Sequence, residues 1–159
     1  MILAANIVMM GSLFWIFYED LKERKVTIAL LILLFVVGGF LNIKQQVWEV
    51  FLISSILNLA VVFSIILILF LYTKLKLKQS LPEAFGLGDV LFFAFMAISF
   101  PTTTFLVLFS CSLIFSFIIS ISFQKQLKKF VPLAGLQALF LGLILGANQL
   151  FGLMNLYAF

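Results

Sequence analysis

A succession of apolar runs, too long and too poor in charge for the surface helices of a water-soluble domain, constrains this chain most. They cover residues 2–18, 26–41, 47–72, 89–100, the stretch that follows Thr102, Thr103 and Thr104 up to residue 123, and 131–153. Only 10% of the 159 residues are charged and 65% are apolar, whereas a typical soluble domain carries about 25% Asp, Glu, Lys and Arg. Apolar runs of this length are read as transmembrane helices. The expected fold is therefore all-α, a polytopic membrane protein of about six transmembrane helices forming one membrane-embedded domain over residues 1–159, with the lipid bilayer as its surroundings.

The basic residues orient that bundle. Nine of the ten Lys and Arg fall into three clusters, Lys22/Arg24/Lys25, Lys74/Lys76/Lys78 and Lys125/Lys128/Lys129, with Lys44 apart from them. Six spans with the amino terminus outside put all three clusters on one face, and a different number of spans would scatter them. By the positive-inside rule that face is cytoplasmic. The clusters then read as topology signals and contacts for anionic lipid, and no nucleic-acid partner is implied. No basic residue precedes the first run and no small-x-small site follows it, so it reads as a span and not a cleaved signal peptide.

Within the runs, Ser54, Ser55, Asn58 and Ser64 lie on or near one face of the third, a pattern for interhelical hydrogen bonding. Gly135, Gly142 and Gly146 mark close packing in the last, the latter two as a small-xxx-small pair. Residues 19–25 read as a compact charged turn, Asn42 to Gln46 as a polar break, and residues 73–88 as the longest polar loop. The fourth run is short, since twelve helical residues reach about 18 Å against about 30 Å of hydrocarbon. Two short helices joined by a tight outer turn at Pro101 are expected, because 89–123 is too long for one ordinary span. The 21 phenylalanines are expected to serve lipid contact and core packing. Trp15 and Trp48 are expected to anchor at interfaces, and Cys111 to pack.

Histidine is absent and cysteine single, which removes imidazole bases, Ser-His-Asp triads and Cys-pair metal sites together. Catalysis would rest on carboxylates, hydroxyls or lysines, with no metal and no cofactor. One carboxylate stands out. Gly86-Leu87-Gly88-Asp89 delivers an acid to the mouth of an apolar segment, where an ionised group is costly without a partner and is by default a functional candidate. In the six-span topology Asp20, beside Glu19 and Glu23, ends the first span at the same cytoplasmic depth. Asp20 and Asp89 can then share a proton and a water, the division of labour of an aspartic protease. Asp89 at a helix start is expected to be the more readily ionised member, and Asp20 at a helix end the less. Gly86 and Gly88 are expected to form a motif loop with backbone angles closed to other residues, open to close approach by an extended substrate.

The motif Gly86-Leu87-Gly88-Asp89 resembles the GxGD signature of membrane aspartic proteases. Asp20-Leu21-Lys22-Glu23-Arg24-Lys25-Val26 resembles the first motif of the type IV prepilin peptidases, an Asp followed by a basic stretch and an aliphatic residue. Where that family usually continues with Pro-Asn this chain has Thr27-Ile28, and Thr27 is expected to cap the next helix in place of the proline. With one cysteine the chain resembles the short members, which lack the cysteine-bearing methyltransferase domain. The resemblance implies that Asp20 and Asp89 are the catalytic pair. It implies an endopeptidase that removes the leader from prepilin-like or pseudopilin precursors of type IV pilus or protein-secretion systems, at the cytoplasmic face of the inner membrane. The alternative from another class is a small transporter or assembly subunit in which the two acids bind a cation or carry protons.

Overall fold

The computed structural model describes residues 1–23, 26–77, 86–122, 133–152 and 155–157. Among these residues all regular structure is helical: α1 (Ile2–Glu23), α2 (Ile28–Gln45), α3 (Trp48–Tyr72), α4 (Leu87–Ser99), α5 (Thr102–Ser122) and α6 (Leu133–Phe151), with a π-helical turn, Thr73–Leu77, continuing α3. Five helices are long and apolar enough to cross a membrane, and α4 is a shorter apolar one. This is the polytopic all-helical architecture that the hydropathy pattern dictates.

The boundaries differ from expectation where polar residues turn out to be helical. α1 runs through Glu19, Asp20 and Glu23, so the expected turn is mostly the last turn of a helix; Arg24 and Lys25 lie outside the described residues. α2 runs past Asn42 to Gln45, because Asn42 points into the bundle and is fully buried. The expected loop at 73–88 begins as the π-helical turn, where the Thr73 hydroxyl donates to the Phe70 carbonyl at 3.0 Å. Its middle, residues 78–85 with Lys78 and Phe85, lies outside the described residues, as do Lys125, Lys128 and Lys129, and its last residues, Leu87 and Gly88, already belong to α4. Phe100 and Pro101 separate α4 from α5, and the Phe105 N–H reaches back to the Pro101 carbonyl at 2.7 Å. The tight turn is thus as expected, but only α4 is short.

With 13 residues, α4 is about 20 Å long, and it can lie inside a membrane because other helices surround it. It packs against α2, α3, α5 and α6, and Phe92, Phe93, Phe95 and Met96 on it are fully buried at the centre of the core. Its carboxyl end is buried too, so the carbonyls that a helix end leaves unpaired cannot turn to water. Asn42 of α2 donates to the Ile98 carbonyl at 2.8 Å. Asn58 of α3 donates to the carbonyls of Ala97 at 2.9 Å and Phe100 at 3.0 Å. Ser54 and Ser55 are buried on the same side of α3, while Ser64 is exposed.

Lipid tails are as apolar as leucine, so helices in a bilayer associate through close packing and polar contacts. α1 and α6 illustrate this as an antiparallel pair: Asn6 bonds Gln149 at 3.3 Å at one end, and Asp20 meets Gly135 at the other. Between them Met10 packs on Gly146 and Phe14 on Gly142, where an added Cβ would lie 3.2 and 3.4 Å from those side chains. The expected small-residue seam is present. Phe63 and Phe117 face outward, as do Trp15 and Trp48. Cys111 is also exposed, on α5, so it does not fill the core as its apolar setting suggested. Beyond α6, Tyr157 folds back to stack on Phe100 with ring centroids 5.9 Å apart, and burial pushes its phenol above the ordinary tyrosine range.

Candidate active site

Asp20 lies in the last turns of α1 and Asp89 in the first turn of α4, far apart in sequence and both directed at the amino end of α6. The Gly135 N–H donates to Asp20 Oδ2 at 2.6 Å, and the Ala134 N–H donates to Asp89 Oδ1 at 2.7 Å. Backbone amides at a helix start have no partner within the helix and sit at the positive end of its dipole. Two successive amides of one helix thus hold the two carboxylates side by side, through short, charge-assisted bonds. Asp20 is buried, at 7% exposure, and Asp89 is partly buried.

Glycines make room for this. A Cβ on Gly135 would lie 2.8 Å from both Cβ and Oδ2 of Asp20, closer than real atoms approach. A Cβ on Gly86 would lie 3.1 Å from Asp89 Oδ2. The motif glycines do not use unusual backbone angles: Gly86 is the extended N-cap of α4 with φ −69°, and the one described glycine with positive φ is Gly152. Nor is the motif a loop, since Leu87, Gly88 and Asp89 form the first turn of α4. Gly88 matters for packing, because a Cβ there would touch Val26 Cγ2 at 3.4 Å.

Two further expectations change. A helix start at Asp89 and a helix end at Asp20 predict that Asp89 is the more readily ionised acid. The amino end of α6 reaches Asp20 as directly as Asp89, which removes the reason for that ranking. Thr27 occupies the N-cap of α2 without a side-chain capping bond. Its hydroxyl and N–H instead donate to Glu19, to Oε1 at 2.9 Å and Oε2 at 3.0 Å, and Trp15 Nε1 donates to Glu19 Oε1 at 3.1 Å. Glu19 therefore ties the end of α1 to the start of α2, while Glu23 is exposed.

What sequence reasoning missed is the contribution of α6. Ala134 and Gly135 act through backbone N–H groups, which every residue except proline carries, so side-chain chemistry could not single them out. The available signal is Gly135 near the start of an apolar run, and a glycine there reads equally as a close-packing point. At the other end of the bundle a cavity of about 370 Å³ is lined by Asn6, Gln45, Gln149 and Asn155 among others, and none of its described lining residues is charged. The described acids that meet inside the bundle are Asp20 and Asp89.

No curated protein and no solved structure matches the chain. A sequence model of the type IV leader peptidase family matches residues 7–124, a span that begins early in α1, holds both Asp20 and Asp89, and ends before α6. A match over most of the chain, on an all-helical membrane bundle of this kind, shows that the protein belongs to the type IV leader peptidase family.

Proposed function

We propose that the protein is a membrane aspartic endopeptidase, one domain over residues 1–159, in which Asp20 and Asp89 remove the leader from prepilin-like or pseudopilin precursors. The observation that carries this reading is the placement of both carboxylates on successive amides, Ala134 and Gly135, of the same helix end. Two adjacent carboxylates oppose ionising together, so the pair holds one proton. The ionised member takes a proton from a water molecule as its oxygen attacks the scissile carbonyl carbon. The protonated member gives its proton to the carbonyl oxygen, forming a tetrahedral diol. Transfer of a proton to the leaving nitrogen then breaks the C–N bond and leaves a free amine and a carboxylic acid. α6 contributes by fixing both carboxylates before substrate arrives, so that little reorganisation is required at the moment of reaction.

Charge supports one side of the membrane for the site. Lys22 lies in the last turn of α1, beside Asp20, and Lys74 just beyond α3, which by the positive-inside rule favours the cytoplasmic face of the inner membrane for the pair. A precursor's leader is accessible there while its apolar segment lies in the bilayer.

The test is leader removal from a co-expressed prepilin-like substrate, read as a mobility shift. Asp20→Asn and Asp89→Asn each keep an oxygen that can accept the α6 amide, so the bundle should persist while cleavage is abolished. Persistence of processing in both variants would sink the protease reading and favour a role in ion or proton movement.

A further inference from the structure

Among the described residues, Gln137 is the one buried amide side chain with neither end paired. It is fully buried on α6, and neither Oε1 nor Nε2 has a hydrogen-bond partner. Asn42 and Asn58, equally buried, spend their nitrogens on the carbonyls of α4. The buried Ser12, Ser54, Ser99, Ser112 and Ser116 each donate to a carbonyl of their own helix. Leaving a buried donor or acceptor unsatisfied is destabilising, and a leucine would fill the same space without that cost.

Gln137 stands three residues beyond Ala134, whose N–H holds Asp89. That is about 4.5 Å further along the axis. Side chains on a helix lean back toward its amino end, so the amide covers the turn that holds the carboxylates. Gly135 and Gly142 face α1, and two steps of helical rotation put Gln137 on the side of α6 away from Asp20. The unsatisfied amide therefore lies about one turn further along α6 than the Ala134 N–H that holds Asp89, on the side of the helix away from Asp20.

A precursor can present its scissile bond to the carboxylates only if the flanking segment unwinds. Unwinding frees backbone N–H and C=O groups where little water is available to receive them, which is costly unless the protein supplies partners. A primary amide offers one acceptor and two donors, the complement of a peptide unit. We infer that Gln137 is a substrate-binding residue, accepting a backbone N–H at Oε1 and donating from Nε2 to a backbone carbonyl of the unwound precursor on the membrane side of the scissile bond. This rests on the peptidase reading and names the part of the substrate that the site must recognise.

The probe is a synthetic peptide with a basic leader and the following apolar segment, cleaved by the purified full chain in nanodiscs. Gln137→Leu and Gln137→Met should lower kcat/KM at least about tenfold, the loss of one hydrogen-bonded contact of roughly 1.4 kcal/mol, with melting temperature equal to or above that of the parent. A second set of probes replaces single backbone N–H groups after the scissile bond with ester oxygens. At the position that Gln137 engages, the ester should slow the parent protein and have little further effect on Gln137→Leu. The inference is overturned if both variants cleave the amide probe at the parent rate, if the ester penalties are the same in parent and variant, or if activity and melting temperature fall together in both variants. A parent protein that does not cleave the probe, or Asp variants that still do, would instead overturn the peptidase reading and this inference with it.

Discussion

At its carboxyl end α4 presents the carbonyls of Ala97, Ile98 and Phe100 to the side-chain amides of Asn42 and Asn58; at its amino end it presents the carboxylate of Asp89 to the backbone amide of Ala134. Both ends lie within the bundle and both need partners. At the carboxyl end neutral side chains answer neutral backbone, and the result is a paired lock that holds a short helix inside an apolar bundle. At the amino end charged side chains answer backbone dipoles, and a second carboxylate, Asp20, shares the same helix terminus. The first arrangement spends its polar groups on stability. The second brings two acidic groups to one helix end, an arrangement that perturbs how each holds its proton.

The largest expected effect comes from disturbing the amino end without touching either acid. In Gly135→Ala the new Cβ would lie 2.8 Å from Asp20 Oδ2, so the carboxylate or the start of α6 must move. Displacement of a reacting group by about 1 Å costs on the order of a hundredfold in rate, and a loss of that size in kcat/KM is expected with only a small change in melting temperature. Gly142→Ala is the control, since its Cβ would meet the Phe14 ring at 3.4 Å, an ordinary contact remote from the acids. If Gly135→Ala cleaves like the parent, the α6 amides do not set the geometry of the pair.

The carboxyl end should respond in the opposite sense. Asn58→Leu removes the donor to two buried carbonyls, and interhelical hydrogen bonds of this kind contribute about 1–2 kcal/mol at most in membranes. Melting temperature should fall, while the kcat/KM of the folded protein stays within about threefold, because the site is eight residues or more away along α4, about 12 Å. A loss of cleavage as large as that of Gly135→Ala, at temperatures where Asn58→Leu is folded, would show that the two ends are coupled rather than separate.

The legible parts of the molecule are those written in side-chain type over a short window. Hydropathy marked the six helices, spacing marked Gly142 and Gly146, and clustered charge joined Asp20 and Asp89 at one depth. The illegible parts depend on which way a residue faces or on atoms common to all residues. Asn42 looks the same at a span's end as in its middle, and only the position of the Ile98 carbonyl decides that α2 continues past it. Gly135 reads as a packing glycine until the Asp20 carboxylate is seen against its N–H. Tyr157 lies beyond the last apolar run, and only the Phe100 ring beneath its own ties it to the bundle.

The smallest expected effect bears on which acid of the first cluster belongs to the pair. Glu19 is one residue from Asp20, yet the helical turn directs it elsewhere, to the N–H and hydroxyl of Thr27 and to Trp15 Nε1. Its carboxylate serves as a clasp between α1 and α2, on the exposed side of the bundle. Glu19→Gln keeps one acceptor oxygen for those donors and removes the charge. Because exposed hydrogen bonds of this kind contribute on the order of 1 kcal/mol or less, kcat/KM should change by less than about threefold and melting temperature only slightly. If Glu19→Gln instead abolishes cleavage as Asp20→Asn is expected to, Glu19 is the partner of Asp89, and the bond from Gly135 to Asp20 belongs with Asn42 and Asn58 among the contacts that hold the bundle together.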